Sequence, residues 1–542
     1  MTNKKHTGSY YTPDFLSDFI VNRISAQLTK GSGISIFEPS VGDGSFLNAL
    51  KKSQILNPYK KVQILALDID EKELVKAYSN IENNKWKKTF CCCDFLKYTK
   101  NENQYFDLII GNPPYIKKNL LKDEQIAVCQ EIHSNASLST NSIKNIWTAF
   151  LIKSIQMLNN DGVLAFVLPA ELLQVKFAEE LRKYIQLQFQ CIEIYTFSDL
   201  LFECKGQDTI VLLGFKQSNN KGVFYTNIEN KEQLNDSIIL TQKDILVNSD
   251  VKWTHHILDS DDLNFLYNLK KEIKPISYYC DSKPGIVTAA NKFFIVDKDT
   301  EEKYGLKSYT QPIIQKGFFV NGSVVFDNED YMQLLLDGKP ARILCFKDDD
   351  ENHIDTQVLS YLKLGKVAKV HERYKCKIRN NWFVIPNIST APDGFFFKRC
   401  HLYPKLIKNK ANVLVTDSAY KVDMKEEFKI NHLIYSFYNS LTLVFSELEG
   451  RYYGGGVLEL TPSEFKKLPI PLVKITDAKF ETYTKLFENK THIEDILFKN
   501  DFSILNTYID LNSEEIERIQ NIRNKLIKKR MKNLSEIIAN KI

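Results

Sequence analysis

Ten cysteines stand in the chain, yet none forms a CxxC pair and no histidine cluster lies beside them. That absence argues against a zinc site or any other metal and against a disulfide framework, so the thiols are expected to be reduced and mostly buried, as small hydrophobes. No apolar run approaches the ~18 residues of a membrane span. The opening MTNKKHTGSYYTP is polar, without the apolar core and cleavage site of a secretory signal, which points to the cytoplasm. A large excess of one charge is lacking too: 72 Lys and Arg against 67 Asp and Glu leave +5. A polyanionic partner would therefore have to meet a basic surface assembled locally by folding.

The 542 residues exceed one ordinary core. Composition divides the chain into 1–240, a linker region at 241–274, and 275–542 with a helical tail. In the first part the apolar runs ISIF, VQILALD, FDLII, VLAFVL, CIEIY and TIVLLGF alternate with helix-like stretches such as EKELVKAYSN and IWTAFLIKSIQML. That alternation predicts a mainly parallel sheet covered on both faces. The 196–208 stretch is short for a crossover helix, so a hairpin is expected to close the sheet edge, and the polar segment from 216 reads as a linker or peripheral excursion. Beyond 275 short β-like pieces, including KIRNNWFVIPNI, interleave aromatics with Lys and Arg. The tail from Ser513 starts acidic and turns basic, as a capped helix does.

The chemistry gathers at strand ends. In FEPSVGDGSF, Gly42 and Gly44 mark a tight turn between strand and helix, while Glu38 would repel a pyrophosphate and no P-loop lysine is present. Asp68, closing the next strand, is placed to accept from ribose hydroxyls, although such an Asp is also a common helix cap. Asp94 could accept from an adenine amino group with Phe95 packed on the ring; here too the bland alternative is a cap and a core phenylalanine. Three carboxylates after three successive strands, without a phosphate cradle, suit a nucleoside carrying positive charge, which is the chemistry of S-adenosylmethionine. After FDLII comes GNPPY: Asn112 and the carbonyl of Pro113 can accept the two hydrogens of an amino nitrogen, and Pro113 and Pro114 freeze the backbone that aims them. Tyr115 offers an aromatic face.

In this order FEPSVGDGSF, ALDID, CCDFL and GNPPY resemble the gamma group of adenine-N6 DNA methyltransferases, and the likeness runs from GSYYTP at residue 8 to about residue 215. The resemblance implies an α/β, Rossmann-like S-adenosylmethionine-dependent catalytic domain at 1–240, followed by a mixed α+β target-recognition domain and C-terminal helices. It implies that Thr12, Glu38, Asp68, Asp94 and Phe95 line the cofactor, with Gly42, Gly44 and Asn112 beside them. It also implies that Asn112, Pro113, Pro114 and Tyr115 form the catalytic motif. A flipped adenine would stack on Tyr115 and on Phe202, for which Phe197 is a nearby competitor. The expected partner is double-stranded DNA, read by a monomer, with a cognate restriction endonuclease acting on the same site without stable binding. Lys375, Lys377, Arg379, Arg399, Lys405, Lys408 and Lys410 are candidate phosphate contacts. NPPY also occurs in glutamine and RNA methyltransferases, so those substrates, and a non-catalytic DNA-binding protein, remain the alternatives; the large second half favours DNA.

Overall fold

The computed structural model describes residues 11–28, 31–81, 85–99, 104–197, 209–230, 232–234, 240–242, 252–320, 322–347, 354–386, 388, 390–453 and 456–531. The chain forms two compact units, one running to Ser260 and the other from Asp261.

In the first unit the strands are β1 (Gly33–Glu38), β2 (Lys61–Asp68), β3 (Trp86–Cys92), β4 (Phe106–Gly111), β5 (Leu158–Pro169), β6 (Cys191–Phe197), β7 (Thr209–Phe215), β8 (Gly222–Ile228) and β9 (Thr241–Gln242). They make one sheet in the order β3-β2-β1-β4-β5-β7-β6-β8-β9. The pairs from β3 to β5 are parallel, whereas β7 runs antiparallel to both of its neighbours, β5 and β6. Side chains alternate across each strand, and the two sets feed separate cores. Ile36, Leu108, Ile110, Ala165 and Val167 pack on one face with helix α1 (Asp14–Ser25), while Phe37, Ile109, Leu164 and Phe166 pack on the other with the 147–156 helix. A chelating ion pair ties α1 to β6: Arg23 donates to both oxygens of buried Glu193, at 2.8 and 2.9 Å, and Tyr195 donates to the same carboxylate at 2.6 Å.

The sheet edge departs from expectation. The β6–β7 pair is antiparallel as expected but does not close the sheet, because β8 adds parallel to β6 and β9 follows. The segment read as a linker or excursion thus supplies a strand whose Val223, Phe224 and Tyr225 are buried. Its apolar core is only three residues long between polar flanks, too brief to stand out from a loop. Trp253 is buried in the first unit's core, and the helix Ser260–Glu272 leads into the second unit.

The described residues of the second unit form three sheets. Its strands are β10 (Cys280–Pro284), β11 (Ile295–Val296), β12 (Thr310–Ile314), β13 (Val325–Phe326), β14 (Arg342–Leu344), β15 (Gly394–Phe397), β16 (Arg399–Cys400), β17 (Lys405–Asn409), β18 (Leu414–Val415), β19 (Ala419–Met424), β20 (Arg451–Tyr453) and β21 (Val457–Glu459). The orders are β10-β19-β15-β17-β13, β11-β14-β12-β18 and β16-β21-β20. One β-like expectation fails: KIRNNWFVIPNI forms no strand among its described residues, only the end of a short helix and turns, with Phe383 and Ile385 anchored in a core. The helix Ser513–Arg530 starts on an Asn512 cap that accepts from Glu515 N at 3.0 Å, and it buries Ile516, Ile519, Ile522 and Leu526. Near its end, buried Arg530 grips Glu447 with two bonds of 2.7 and 2.8 Å.

Candidate active site

The carboxyl ends of β1, β2 and β4 and the loop after β3 open onto one cavity of about 880 Å³, lined by Thr12, Glu38, Ser40, Gly42, Asp43, Asp68, Asp94, Phe95, Asn112 and Pro114 among others. Strand ends of an open α/β sheet are where such folds place a ligand, and the volume suits a nucleoside-sized one. Among the described residues, seven that line it carry carboxylates, against a single basic side chain, Lys122.

Glu38 sets the electrostatics. It ends β1 at 1 % exposure, and its Oε2 has no hydrogen-bond partner among the described residues. Burial, then the nearby Asp43 and Asp68, push its pKa well above the usual carboxylate range. A buried carboxylate without a donor is costly, and a cationic hydrogen-bond donor in the cavity would relieve that cost. Asp68 is better satisfied: Oδ2 accepts from Gly42 N and Oδ1 from Asp70 N, both at 2.9 Å. Burial still raises its pKa, with those amides pulling the other way. Both readings of Asp68 therefore hold in part, since it fixes the glycine turn and also faces the cavity. Asp94 likewise accepts from Leu96 N at 2.9 Å while lining the cavity.

The turn after β1 needs its glycines. Gly42 and Gly44 sit at φ +52° and +85°, and a Cβ on Gly44 would stand 3.0 Å from Ala77 Cα. Gly44→Ala is expected to cost about 1–3 kcal/mol, read as a lower midpoint in denaturant unfolding of the full chain.

Phe95 is 2 % exposed yet borders the cavity, with its ring 5.5 Å from Phe37 and 5.0 Å from Phe150. Beneath it lies a residue the sequence reading missed. Lys153, in the 147–156 helix, sends its ammonium to the carbonyls of Phe95, Leu96 and Tyr98 at 2.8, 2.7 and 2.7 Å. Burial lowers its pKa to about 8, Asp94 opposing, so it stays mostly protonated at neutral pH. The available signal was a lone charged residue in the mostly apolar run AFLIKSIQML. Lys153→Met is expected to strand these carbonyls, lowering stability by about 1–3 kcal/mol and loosening the 94–98 turn, which a denaturant melt and hydrogen exchange would register.

Asn112 follows β4 directly and is held on several sides. Its Nδ2 donates to Thr12 Oγ1 at 3.2 Å, its Oδ1 accepts from the Tyr115 hydroxyl at 2.7 Å, and its carbonyl accepts from Ser40 Oγ at 3.2 Å. The Tyr115 hydroxyl is also 3.0 Å from Val167 O, and the ring, 9 % exposed, belongs to the core. Pro113 is buried, and Pro114 lines the cavity. In this conformation Tyr115 orients the Asn112 amide and is not among the cavity-lining residues. Phe202 lies outside the described residues, and Phe197 is half-buried at the end of β6.

The candidate phosphate contacts do not form one set. Lys375, Lys377 and Lys410 are exposed. Arg379 spends its guanidinium on the carbonyls of Thr288 and Trp382, and Arg399 pairs with Glu459 at 2.7 Å. Lys408 donates to Asn431 at 2.8 Å, and burial lowers the pKa of both Lys405 and Lys408.

A β3-β2-β1-β4-β5 parallel sheet continued by antiparallel β7 and then β6, with acidic residues around its strand-end cavity, is an α/β methyltransferase fold. A DNA-bound solved structure of the type IIL restriction-modification enzyme MmeI shares that fold, at a TM-score of 0.56 and 13 % identity over 95 % of this chain and 76 % of that one. Residues 21–202 match the Eco57I restriction-modification methylase profile, and 250–505 match that of the type II methyltransferase M.Eco57I C-terminal domain. Two successive stretches of the chain are thus similar to Eco57I-type restriction-modification methylases, in keeping with the motif resemblance at the level of a restriction-modification DNA methylase. Similar relatives include type II methyltransferase M.AccI of Acinetobacter calcoaceticus, 24 % identical over 465 residues and 80 % of each chain. Type II methyltransferase M.BanIII of Aneurinibacillus aneurinilyticus is 22 % identical over 488 residues, covering 73 % of this chain and 79 % of its own.

Proposed function

We propose that the protein is a site-specific DNA methyltransferase that moves a methyl group from S-adenosylmethionine to the N6 amino group of an adenine flipped out of duplex DNA, within a restriction-modification system. The observation that carries the reading is the meeting of Asn112, unpaired Glu38 and Asp68 at one cavity. S-adenosylmethionine, when bound, would supply an electrophilic methyl on a sulfonium.

The acidic lining fits that group: Glu38 would receive its ammonium, Asp68 the ribose hydroxyls, and Phe95 and Asp94 the adenine end. On the substrate side, Asn112 Oδ1 and the Pro113 carbonyl would accept the two N6 hydrogens. That would draw the nitrogen lone pair out of ring conjugation and towards the methyl without prior loss of a proton; as the methyl–sulfur bond breaks the cofactor would leave as a neutral thioether, and the methylated nitrogen would then lose one proton to solvent. The double proline keeps these acceptors preorganised, so little reorganisation is spent at the moment of transfer. Extrusion of the base costs a few kcal/mol of unstacking, which contacts in the active site must offset. For Tyr115 to stack on the base its ring would have to swing from its core position, while Phe202 is the proposed second surface. The reading further takes the protein to act as a cytoplasmic monomer, with an endonuclease of the same specificity as its functional counterpart.

Nucleoside mass spectrometry tests it. Purified protein with S-adenosylmethionine and duplex DNA should yield N6-methyladenine. Methylated cytosine, or label only in RNA or protein, would overturn the assignment.

A further inference from the structure

Within the second unit, residues 363–379 read KLGKVAKVHERYKCKIR, in which seven basic residues face the single acid Glu372. That surplus of six exceeds the +5 of the entire chain. A basic run is most often only a solvated face. Two features of this one argue otherwise.

The first is that it is built. The helix Thr356–Val367 buries Val358, Tyr361, Leu362 and Gly365. A Cβ at Gly365 would come within 2.4 Å of Trp382 and 2.5 Å of Phe293, so this position sits flush on an aromatic floor. Phe293 stacks on Tyr361 at 4.8 Å in the same floor. The chain then turns through Lys369 at φ +54° into the short helix Tyr374–Lys377, whose Cys376 is buried. Arg373 and Arg379 brace it, donating to the carbonyls of Ala289 and Thr288 at 3.0 and 2.9 Å. The second feature is what remains outside. Lys363, Lys366, Lys369, Lys375 and Lys377 are exposed, and among them stand Val367, Tyr374 and Ile378 at 81 %, 79 % and 67 % exposure. Glu372 lies within ion-pair reach of Lys369 at 4.0 Å and of His371 at 3.9 Å, which leaves the other four lysines without an acid inside the segment.

Large apolar side chains are not normally left in water beside a lysine array, and a rigid surface that is cationic yet studded with apolar groups complements a duplex backbone. Phosphates take the ammonium groups, and deoxyribose edges take the apolar ones. We propose that this face is a sequence-independent phosphate-binding surface for duplex DNA. The inference rests on the DNA-methyltransferase reading and deepens it, adding Lys363, Lys366 and Lys369 to Lys375 and Lys377 as the contacts.

The full chain and its Lys363→Gln/Lys366→Gln/Lys369→Gln variant would be titrated with two duplexes, one carrying the methylated sequence and one scrambled, across a salt series. Loss of three phosphate contacts lowers the slope of log K against log salt by about 2.7 and weakens binding on the order of 100-fold near physiological salt. Both duplexes should lose the same factor, while cofactor affinity and melting temperature stay as in the parent. A slope equal to the parent's, or a loss confined to the cognate duplex, overturns the proposal. If the parent neither binds nor methylates duplex DNA at any salt, the functional reading itself fails. A parent that binds with a variant that matches it removes only this surface. Lys375→Gln/Lys377→Gln should independently lower the slope by about 1.8.

Discussion

Replacing Asn112 by alanine is expected to lower kcat for methyl transfer by about 100- to 1000-fold, the scale of losing a preorganised electrostatic contact to the reacting group. Cofactor affinity should stay within a few fold, because Glu38 and Asp68 supply the proposed cofactor contacts from other strands. DNA affinity should hold as well. The variant also removes one partner from the Tyr115 hydroxyl, which keeps Val167 O, and one from Thr12 Oγ1, so a companion Asn112→Asp is informative. It keeps a side-chain acceptor for the amino group but loses the Nδ2 donor to Thr12. Retained partial activity in Asn112→Asp, with none in Asn112→Ala, is the expected split in single-turnover kinetics. Activity near the parent's in Asn112→Ala would remove the residue from the chemistry.

The second large effect concerns Glu38, and it has opposite signs with and without cofactor. In the folded apo protein its pKa lies above the unfolded value, so the folded state holds a proton that the unfolded state has released between those two pKa values. Stability is therefore fully present below the unfolded pKa and declines as pH rises towards the folded one. Glu38→Gln removes that decline, and the apo variant should melt higher than the parent as pH rises above about 5, near the carboxyl reference range. Cofactor binding goes the other way, since the ionised carboxylate is the form that pairs with an ammonium. Affinity in the parent should grow as pH rises through the Glu38 pKa, with proton release on binding. Glu38→Gln should weaken binding by roughly 10- to 100-fold, the value of a charge-assisted bond at a desolvated site. Calorimetry in buffers of different ionisation enthalpy would read both the affinity and the proton. Equal affinities would place the ammonium elsewhere.

What the sequence made legible follows from burial. Strands β1, β2, β4 and β5 are covered on both faces, so they appear as apolar runs, and the functional groups stand where those runs break. Glu38, Asp68 and Asn112 could therefore be found by position as much as by motif. Strand β8 pairs on one side with β6 and on the other with a two-residue strand, and it kept too little apolar sequence to be seen. Lys153 was hidden for another reason: its three partners are backbone carbonyls, which leave no mark in the sequence. For Arg379 too the partners are backbone carbonyls, whereas the Nε of Arg399 pairs with the Glu459 carboxylate on a side chain that stays mostly exposed. In the second unit the helix Ser440–Glu449 keeps Leu441, Val444, Phe445 and Leu448 at helical spacing, yet Ser440, Thr442, Ser446 and Glu447 are buried as well, which that spacing does not reveal.

The most direct test of the central claim is single-molecule sequencing with base-modification detection on the genome of a methylation-deficient bacterial host expressing this protein, with the Asn112→Ala variant alongside. The account predicts N6-methyladenine at one recurring sequence and none with the variant. An unmodified genome in cells holding soluble, cofactor-binding protein would contradict it.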